Sequence, residues 1–233
     1  MLSVVNINQK FDNHSLFENS ASLYIKENEV VLLYGDNGGG KSSILEIMSY
    51  ITKPTSGEVY WDDKKIKSAK EANKIRADYM SIMFSDFRFL RQLSIYENIT
   101  LPNILSGRDN FQDQYEFLMD DLLNFTGCSN PNLSLKHLVE KENICKLSDG
   151  EKKVIAIARA LLLKSPYLLA DEMLNGFTEE AKIEIWTRLL NYFKSEKMGV
   201  FLIEHWAKAK EIAAGTGAQL HSYKLSHRNL IKE

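Results

Sequence analysis

The chain has little cysteine, little proline, no excess charge of either sign and no long apolar run. Two cysteines, Cys128 and Cys145, stand far apart in 233 residues, and neither has a histidine at metal-ligand spacing. That excludes a disulfide framework and a zinc site, and suits a reducing compartment with two small buried thiols. Lysine and arginine number 29 against 31 acidic residues, so the net charge of -2 gives no electrostatic footprint for nucleic acid. Apolar stretches such as Leu161-Leu162-Leu163 and Tyr167 to Ala170 are too short to span a bilayer and are broken by Arg159, Lys164 and Pro166. Met1 to Lys10 alternates like a strand and lacks the basic region and apolar run of a signal peptide, which points to the cytoplasm unless a partner holds the protein at a membrane. Internal repeats and low-complexity segments are missing too. What remains is an ordinary globular composition, 44% hydrophobic, enough for one large α/β domain or a core with an inserted lobe.

The most informative stretch is Gly35-Asp36-Asn37-Gly38-Gly39-Gly40-Lys41-Ser42, a G-x-x-x-x-G-K-S phosphate loop. Glu29 to Tyr34 before it is an apolar strand pattern, and Ser43 to Tyr50 after it carries apolar residues at helical spacing. The glycines let backbone N–H groups turn inward around phosphate oxygens, and the helix start adds its positive dipole end. Lys41 reaches the terminal phosphates and the Ser42 hydroxyl is left for magnesium. The loop alone leaves kinase, GTPase and ATPase open.

Leu2 to Ile7 and Ser20 to Lys26 read as strands, with a turn at Asp12 to Ser15, and Glu58 to Trp61 reads as another between turns. Tyr79 to Phe84 is a buried strand. From there the pattern turns helical: Ser94-Ile95-Tyr96-Glu97 is a capping box, and Phe111, Tyr115, Leu118, Met119, Leu122 and Phe125 share one helix face. Strand signals return at Tyr167 to Ala170 and Gly199 to Ile203, around a helix with an inward stripe of Ile183, Trp186, Leu190 and Phe193. Ala218 to Ile231 reads as a short hairpin, with no regulatory domain appended. Leu147-Ser148-Asp149-Gly150-Glu151 caps a long helix, and about 20 residues later an apolar strand ends in Asp171-Glu172.

In this order the motifs resemble those of the ATP-binding subunit of ABC transporters over nearly the whole chain. Gly35 to Ser42 looks like Walker A, Leu147 to Glu151 like the LSGGQ signature, Leu168 to Glu172 like Walker B with the catalytic glutamate, and His205 like the switch histidine. Phe11 stands where the family places an aromatic ring against adenine. The resemblance implies an α/β phosphate-loop NTPase core with an antiparallel β subdomain, formed by residues 1–85 and 141–233 of a single domain, and an inserted helical subdomain at 86–140. It implies ATP on Phe11, Gly35, Asp36, Asn37, Gly38, Gly39, Gly40, Lys41, Ser42 and Ser43 of one copy and on Ser148, Asp149, Gly150 and Glu151 of a head-to-tail second copy or related ATPase subunit. Mg2+ falls to Ser42 and Asp171, with Ser85 at the position usually held by a glutamine. Lys41, Glu172 and His205 take the catalytic roles, with Glu172 orienting and deprotonating water.

The chain departs from the pattern at Ser85, at Asp149 and Glu151 for the usual glycine and glutamine, at Met173 for proline and at Thr178 for aspartate. The stretch Arg88 to Pro102 resembles the lipoprotein-releasing, macrolide-export and cell-division branch. That branch pairs with separate transmembrane permease subunits, placing the protein at the inner face of the cell membrane. Phe84, Phe87 and Phe89 are then either core or partly exposed for docking. A soluble ABC ATPase of an assembly system such as iron-sulfur cluster biogenesis and a weakly hydrolysing regulatory ATPase stand as alternatives.

Overall fold

The computed structural model describes residues 1–11, 14–124, 133–141 and 144–233, apart from the side chains of Phe11 and His14. Phe125 and Cys128 lie outside the described residues. In chain order the first strands are β1 (Leu2–Asn8), β2 (Lys10–Phe11), β3 (His14–Ser15), β4 (Ala21–Ile25), β5 (Glu29–Gly35), β6 (Ser56–Trp61) and β7 (Lys64–Lys65). They are followed by β8 (Met80–Met83), β9 (Tyr167–Asp171), β10 (Gly199–Ile203), β11 (Gln219–Ser226) and β12 (Asn229–Lys232). The helices are α1 (Lys41–Met48), α2 (Ala69–Tyr79), α3 (Ile95–Leu105), α4 (Gln112–Phe117), α5 (Leu135–Val139), α6 (Asp149–Leu162), α7 (Glu179–Ser195) and α8 (Lys208–Gly215).

The centre is a six-stranded sheet in the order β12-β11-β5-β10-β9-β8. Its strands are parallel except β12, with Val200 opposite both Val30 and Leu168, and Ser81 opposite Leu168. The continuous apolar runs of β5, β9 and β10 suit strands buried on both faces. Alternation along each strand divides the core in two. Val30, Leu32, Leu168, Ala170, Val200 and Leu202 pack with α6 and α7, whereas Val31, Leu33, Leu169, Phe201 and Ile203 pack with α1 and an antiparallel sheet. That second sheet has the order β4-β1-β6-β7, with Val4 opposite Leu23 and Val59. Between β8 and β9 all described elements are helical, α4 running on into a π-helical turn at Leu118–Leu122. The architecture is the α/β class with its antiparallel sheet and helical insertion that the sequence implied.

Several local expectations change. Helix α2 has no counterpart in the sequence reading: its one fully buried residue is Ala72, so it carries almost no apolar stripe. What starts it is the Ser68 side chain, which accepts the Glu71 N–H at 3.2 Å. On α7, Ile183 lies at the rim of the stripe and is 40% exposed, and Ile185 and Leu189 join Trp186, Leu190 and Phe193 inside. Cys145 is exposed rather than buried, because the 3-10 turn Ile144–Lys146 directs Ile144 inward in its place. The C-terminal hairpin forms as read, closed by His227 and Arg228 at φ 47° and 58°. Its first strand also pairs in parallel with β5, which makes it part of the main sheet.

Trp186 is the largest fully buried side chain, and its indole N–H donates to the Ala209 carbonyl at 2.9 Å, tying α7 to α8. Trp186→Ala is expected to lower stability by about 3–5 kcal/mol, from the cavity and the lost hydrogen bond together. Urea denaturation of the two proteins measures this, and a loss below about 1 kcal/mol would contradict the packing described.

Candidate functional site

The phosphate loop leaves the C-terminal end of β5 and enters α1. Gly35, Gly38 and Gly40 have φ of 144°, 75° and 93°, a region that side chains other than glycine rarely adopt. A Cβ on Gly35 would lie 2.0 Å from the Leu225 carbonyl oxygen of β11, and one on Gly40 would lie 1.8 Å from a Leu16 methyl. Gly35 is therefore required by close backbone packing as well as by conformation, whereas at Gly40 the Leu16 side chain could shift and the positive φ is the stronger constraint. Lys41 folds back over the loop, its ammonium donating to the Gly35 carbonyl at 3.0 Å and to that of Asp36 at 2.7 Å. Burial lowers the Lys41 pKa, with Asp171, Glu172 and Asp36 opposing the shift. Asp36 and Asn37 are exposed, and Ser43 is half-buried behind Ser42.

The parallel pairing of β9 beside β10, and of β10 beside β5, carries three loops to one sheet edge. There the Ser42 hydroxyl donates to Asp171 Oδ2 at 2.7 Å, across 129 residues of chain. Asp171 is 4% exposed, and burial raises its pKa, with repulsion from Glu172 adding and the Ser42 hydrogen bond, Lys153 and Lys41 opposing. Glu172 follows at φ 52°, an unfavourable conformation for a side chain of its size. Three backbone bonds hold it there. Its N–H donates to Ile203 O at 2.9 Å, its carbonyl accepts from Asn175 N–H at 3.3 Å and also from the buried Lys153 ammonium. The Glu172 carboxylate accepts from Asn175 Nδ2 at 3.1 Å and lies 3.8 Å from His205 Nε2, too far for a hydrogen bond.

Ser148 to Glu151 occupy the start of α6. Ser148 Oγ accepts the Glu151 N–H at 3.3 Å, and Glu151 Oε2 accepts the Ser148 N–H at 2.8 Å. Gly150 packs under the turn after β9, where a Cβ would stand 3.4 Å from Gly176 O and 3.5 Å from the Phe177 ring. Asp149 is exposed and pairs with Lys152 at 3.3 Å. Among the described residues no hydrogen bond or ion pair joins Ser148–Glu151 to the phosphate loop of the same chain. Ser85 is exposed just beyond β8, whose last residue Met83 pairs with Ala170. The Phe11 side chain lies outside the described residues; its backbone pairs with His14.

Two buried charged residues at this edge went unread in the sequence. Lys153, 4% exposed, projects from α6 to the Glu172 carbonyl. Glu204, 5% exposed, precedes His205 and accepts from Leu174 N–H at 2.6 Å and from His205 N–H at 3.2 Å. Burial lowers the Lys153 pKa and raises that of Glu204, and attraction between the two opposes both shifts. The available signal was a charged residue interrupting, or ending, an otherwise apolar element.

No cluster of three or more His, Cys, Asp and Glu side chains placed to hold a metal occurs among the described residues. The oxygen donors Ser42 and Asp171 are the kind Mg2+ takes, which binds through one or two protein groups and completes its shell with water and phosphate. A glycine-cradled phosphate loop joined to a carboxylate strand end defines a phosphate-loop nucleotide-binding protein. The family described as ABC transporter matches residues 19–175. A lipoprotein-releasing system ATP-binding protein, LolD, of Ehrlichia ruminantium (strain Gardel) is 30% identical over 191 residues, covering 80% of this chain and 78% of that protein. An uncharacterised ABC transporter ATP-binding protein of Methanocaldococcus jannaschii is 31% identical over 195 residues, covering 80% and 77%. The dimeric structure of a bacterial ABC transporter cassette superposes with a TM-score of 0.80 at 24% identity, covering 100% of this chain and 98% of that one. The chain belongs to the ABC transporter family, as one of its ATP-binding, ATP-hydrolysing cassettes.

Burial pushes the Glu151 carboxyl up, but hydrogen bonds from Lys141 and from Ser148 N–H and Oγ–H outweigh it and hold the pKa below the usual value. Its contribution to stability is therefore full at neutral pH and is lost as the pH falls through the carboxylate range. Urea midpoints taken between about pH 3 and pH 7 should show a shallower acid-side loss in Glu151→Gln than in the wild type. Parallel curves would remove Glu151 from the acid sensitivity of α6.

Proposed function

We propose that this chain hydrolyses ATP to drive a membrane transporter, working as a dimer against a separate transmembrane permease at the cytoplasmic face. The observation that carries this is the meeting of Ser42, Asp171, Glu172 and His205 at one sheet edge above the phosphate loop. The loop N–H groups and Lys41 hold the β- and γ-phosphates of ATP, Lys41 exchanging its loop carbonyls for phosphate oxygens. Ser42 and Asp171, with Ser85, would hold Mg2+, which would supply charge neutralisation at the phosphates. Glu172 takes the proton of the attacking water and Asn175 steadies its carboxylate. His205, already 3.8 Å from Glu172, closes on the γ-phosphate side. Phe11 supplies the adenine contact.

Ser148, Asp149, Gly150 and Glu151 act on the second nucleotide of a head-to-tail dimer, which is supported by their exposed helix start and by the lack of bonds to their own phosphate loop. Asp149 adds negative charge there, which Lys152 offsets. Residues 86–140 serve as the inserted helical subdomain facing the permease, with residues 1–85 and 141–233 as core and β subdomain. Half-buried Phe87 and Phe89 stack at 5.6 Å, and Arg159 lies 4.7 Å from the Phe89 ring and donates to Phe87 O. This links the proposed docking surface to α6. The relatives named for lipoprotein release favour an exporter-type permease. No helix among the described residues is long and apolar enough to cross a membrane.

Glu172→Gln is expected to lower ATP turnover by about 10² to 10⁴ while ATP binding is kept. Phosphate release by purified protein, with nucleotide binding followed in parallel, measures both, and an unchanged rate would refute the role of Glu172. The same variant with ATP and magnesium should elute from gel filtration as a dimer. Monomer alone at saturating ATP would refute the shared-site arrangement.

A further inference from the structure

The buried carboxylate of Glu204 is not needed to complete either strand ladder. The backbone N–H of Glu204 donates to Leu33 O at 3.1 Å, so β10 is joined to β5 without help from the side chain. The β10–β9 pairing runs to Ile203 opposite Asp171, and its last bond is Glu172 N–H to Ile203 O. Beyond that point the two chains diverge, one into the turn carrying Glu172 and Asn175 and the other into the loop carrying His205. Glu204 spans this divergence. One carboxylate oxygen accepts the Leu174 N–H at 2.6 Å and the other accepts the His205 N–H at 3.2 Å. Two acceptors on one rigid group, with no donor, is what bridging two backbone N–H groups requires.

We infer that Glu204 is a positioning residue for ATP hydrolysis, clamping the turn of Glu172 to the loop of His205 so that the two side chains keep their separation. The inference rests on the proposed roles of Glu172 and His205. Glu172 is held at a positive φ by its own backbone bonds, and Leu174, two residues on, is anchored by Glu204. Lys153 grips the same turn from α6. A buried carboxylate is an expensive way to hold two loops when packing alone would serve. Its gain is directional, because charge-assisted hydrogen bonds help to fix two backbone segments to within about 0.5 Å. Small displacements at such a site matter, since about 1 Å of misplacement can cost 10²-fold in rate.

The test compares Glu204→Ala and Glu204→Gln with the wild-type full-length protein, by steady-state ATP hydrolysis and by amide hydrogen exchange at residues 171–176 and 203–207. Glu204→Ala is expected to lower kcat about 10- to 100-fold with KM for ATP within about twofold, and to speed exchange in both segments. Glu204→Gln keeps the size and one acceptor, and should recover part of the loss with one segment still protected. Both variants are assayed well below their melting temperatures, so lost stability alone would leave kcat unchanged. A wild-type kcat in folded Glu204→Ala, or in Glu204→Gln if the alanine variant does not fold, overturns the clamp and leaves the ATPase reading standing. A loss carried by KM overturns it equally. Wild-type protein that does not hydrolyse ATP overturns both.

Discussion

Everything at the site depends on the parallel register of β5, β10 and β9. Because these strands run in one direction and are buried on both faces, their C-terminal ends finish side by side and their loops emerge together. The phosphate loop, the Asp171-Glu172 pair and His205 are far apart in sequence and meet for that reason alone. The Ser42–Asp171 hydrogen bond is the contact that records the meeting, and a slip of one residue in either pairing would break it.

Around this edge the polypeptide accumulates features that cost stability. Glycines at the loop take conformations closed to other residues, Glu172 sits at a positive φ, and Asp171, Lys153 and Glu204 are charged groups under nearly full burial. Elsewhere Glu29 is the one charged side chain so buried among the described residues, and buried polar groups join distant parts of the chain, Ser81 Oγ–H donating to Ala160 O at 2.7 Å and Gln114 Nε2–H to the Tyr192 hydroxyl at 2.9 Å. Such strain persists only where the surroundings over-determine it, and here each strained or buried group is held by at least one named partner. The arrangement is that of a preorganised polar site on rigid strand ends, in which donors and acceptors stand in place before substrate arrives.

The helical segment between β8 and β9 connects to this edge through α6. Its start lies beside the turn after β9, Lys153 one turn on reaches the Glu172 carbonyl, and Arg159 further along binds the Phe87 backbone. One helix therefore carries Asp149 to Glu151 at its start and touches the Glu172 turn and the aromatic surface after β8.

The local elements were legible in the sequence because their signals are local. The glycine pattern of the loop, the capping boxes at Ser94 and Ser148, and the apolar runs of β5, β9 and β10 all formed where spacing and residue type placed them. Helix α2 was not legible, since one buried alanine leaves no stripe to read, and Cys145 was misplaced because a single turn of 3-10 helix decided which way it faced. Only the tertiary structure decided that β11 joins β5 in parallel, that Ser42 reaches Asp171, and that Glu204 bridges two loops. Spacing along the chain encodes which face of an element is apolar. Which strand ends lie beside one another follows from the crossovers of the whole fold, and that sum is closed only when the core is packed.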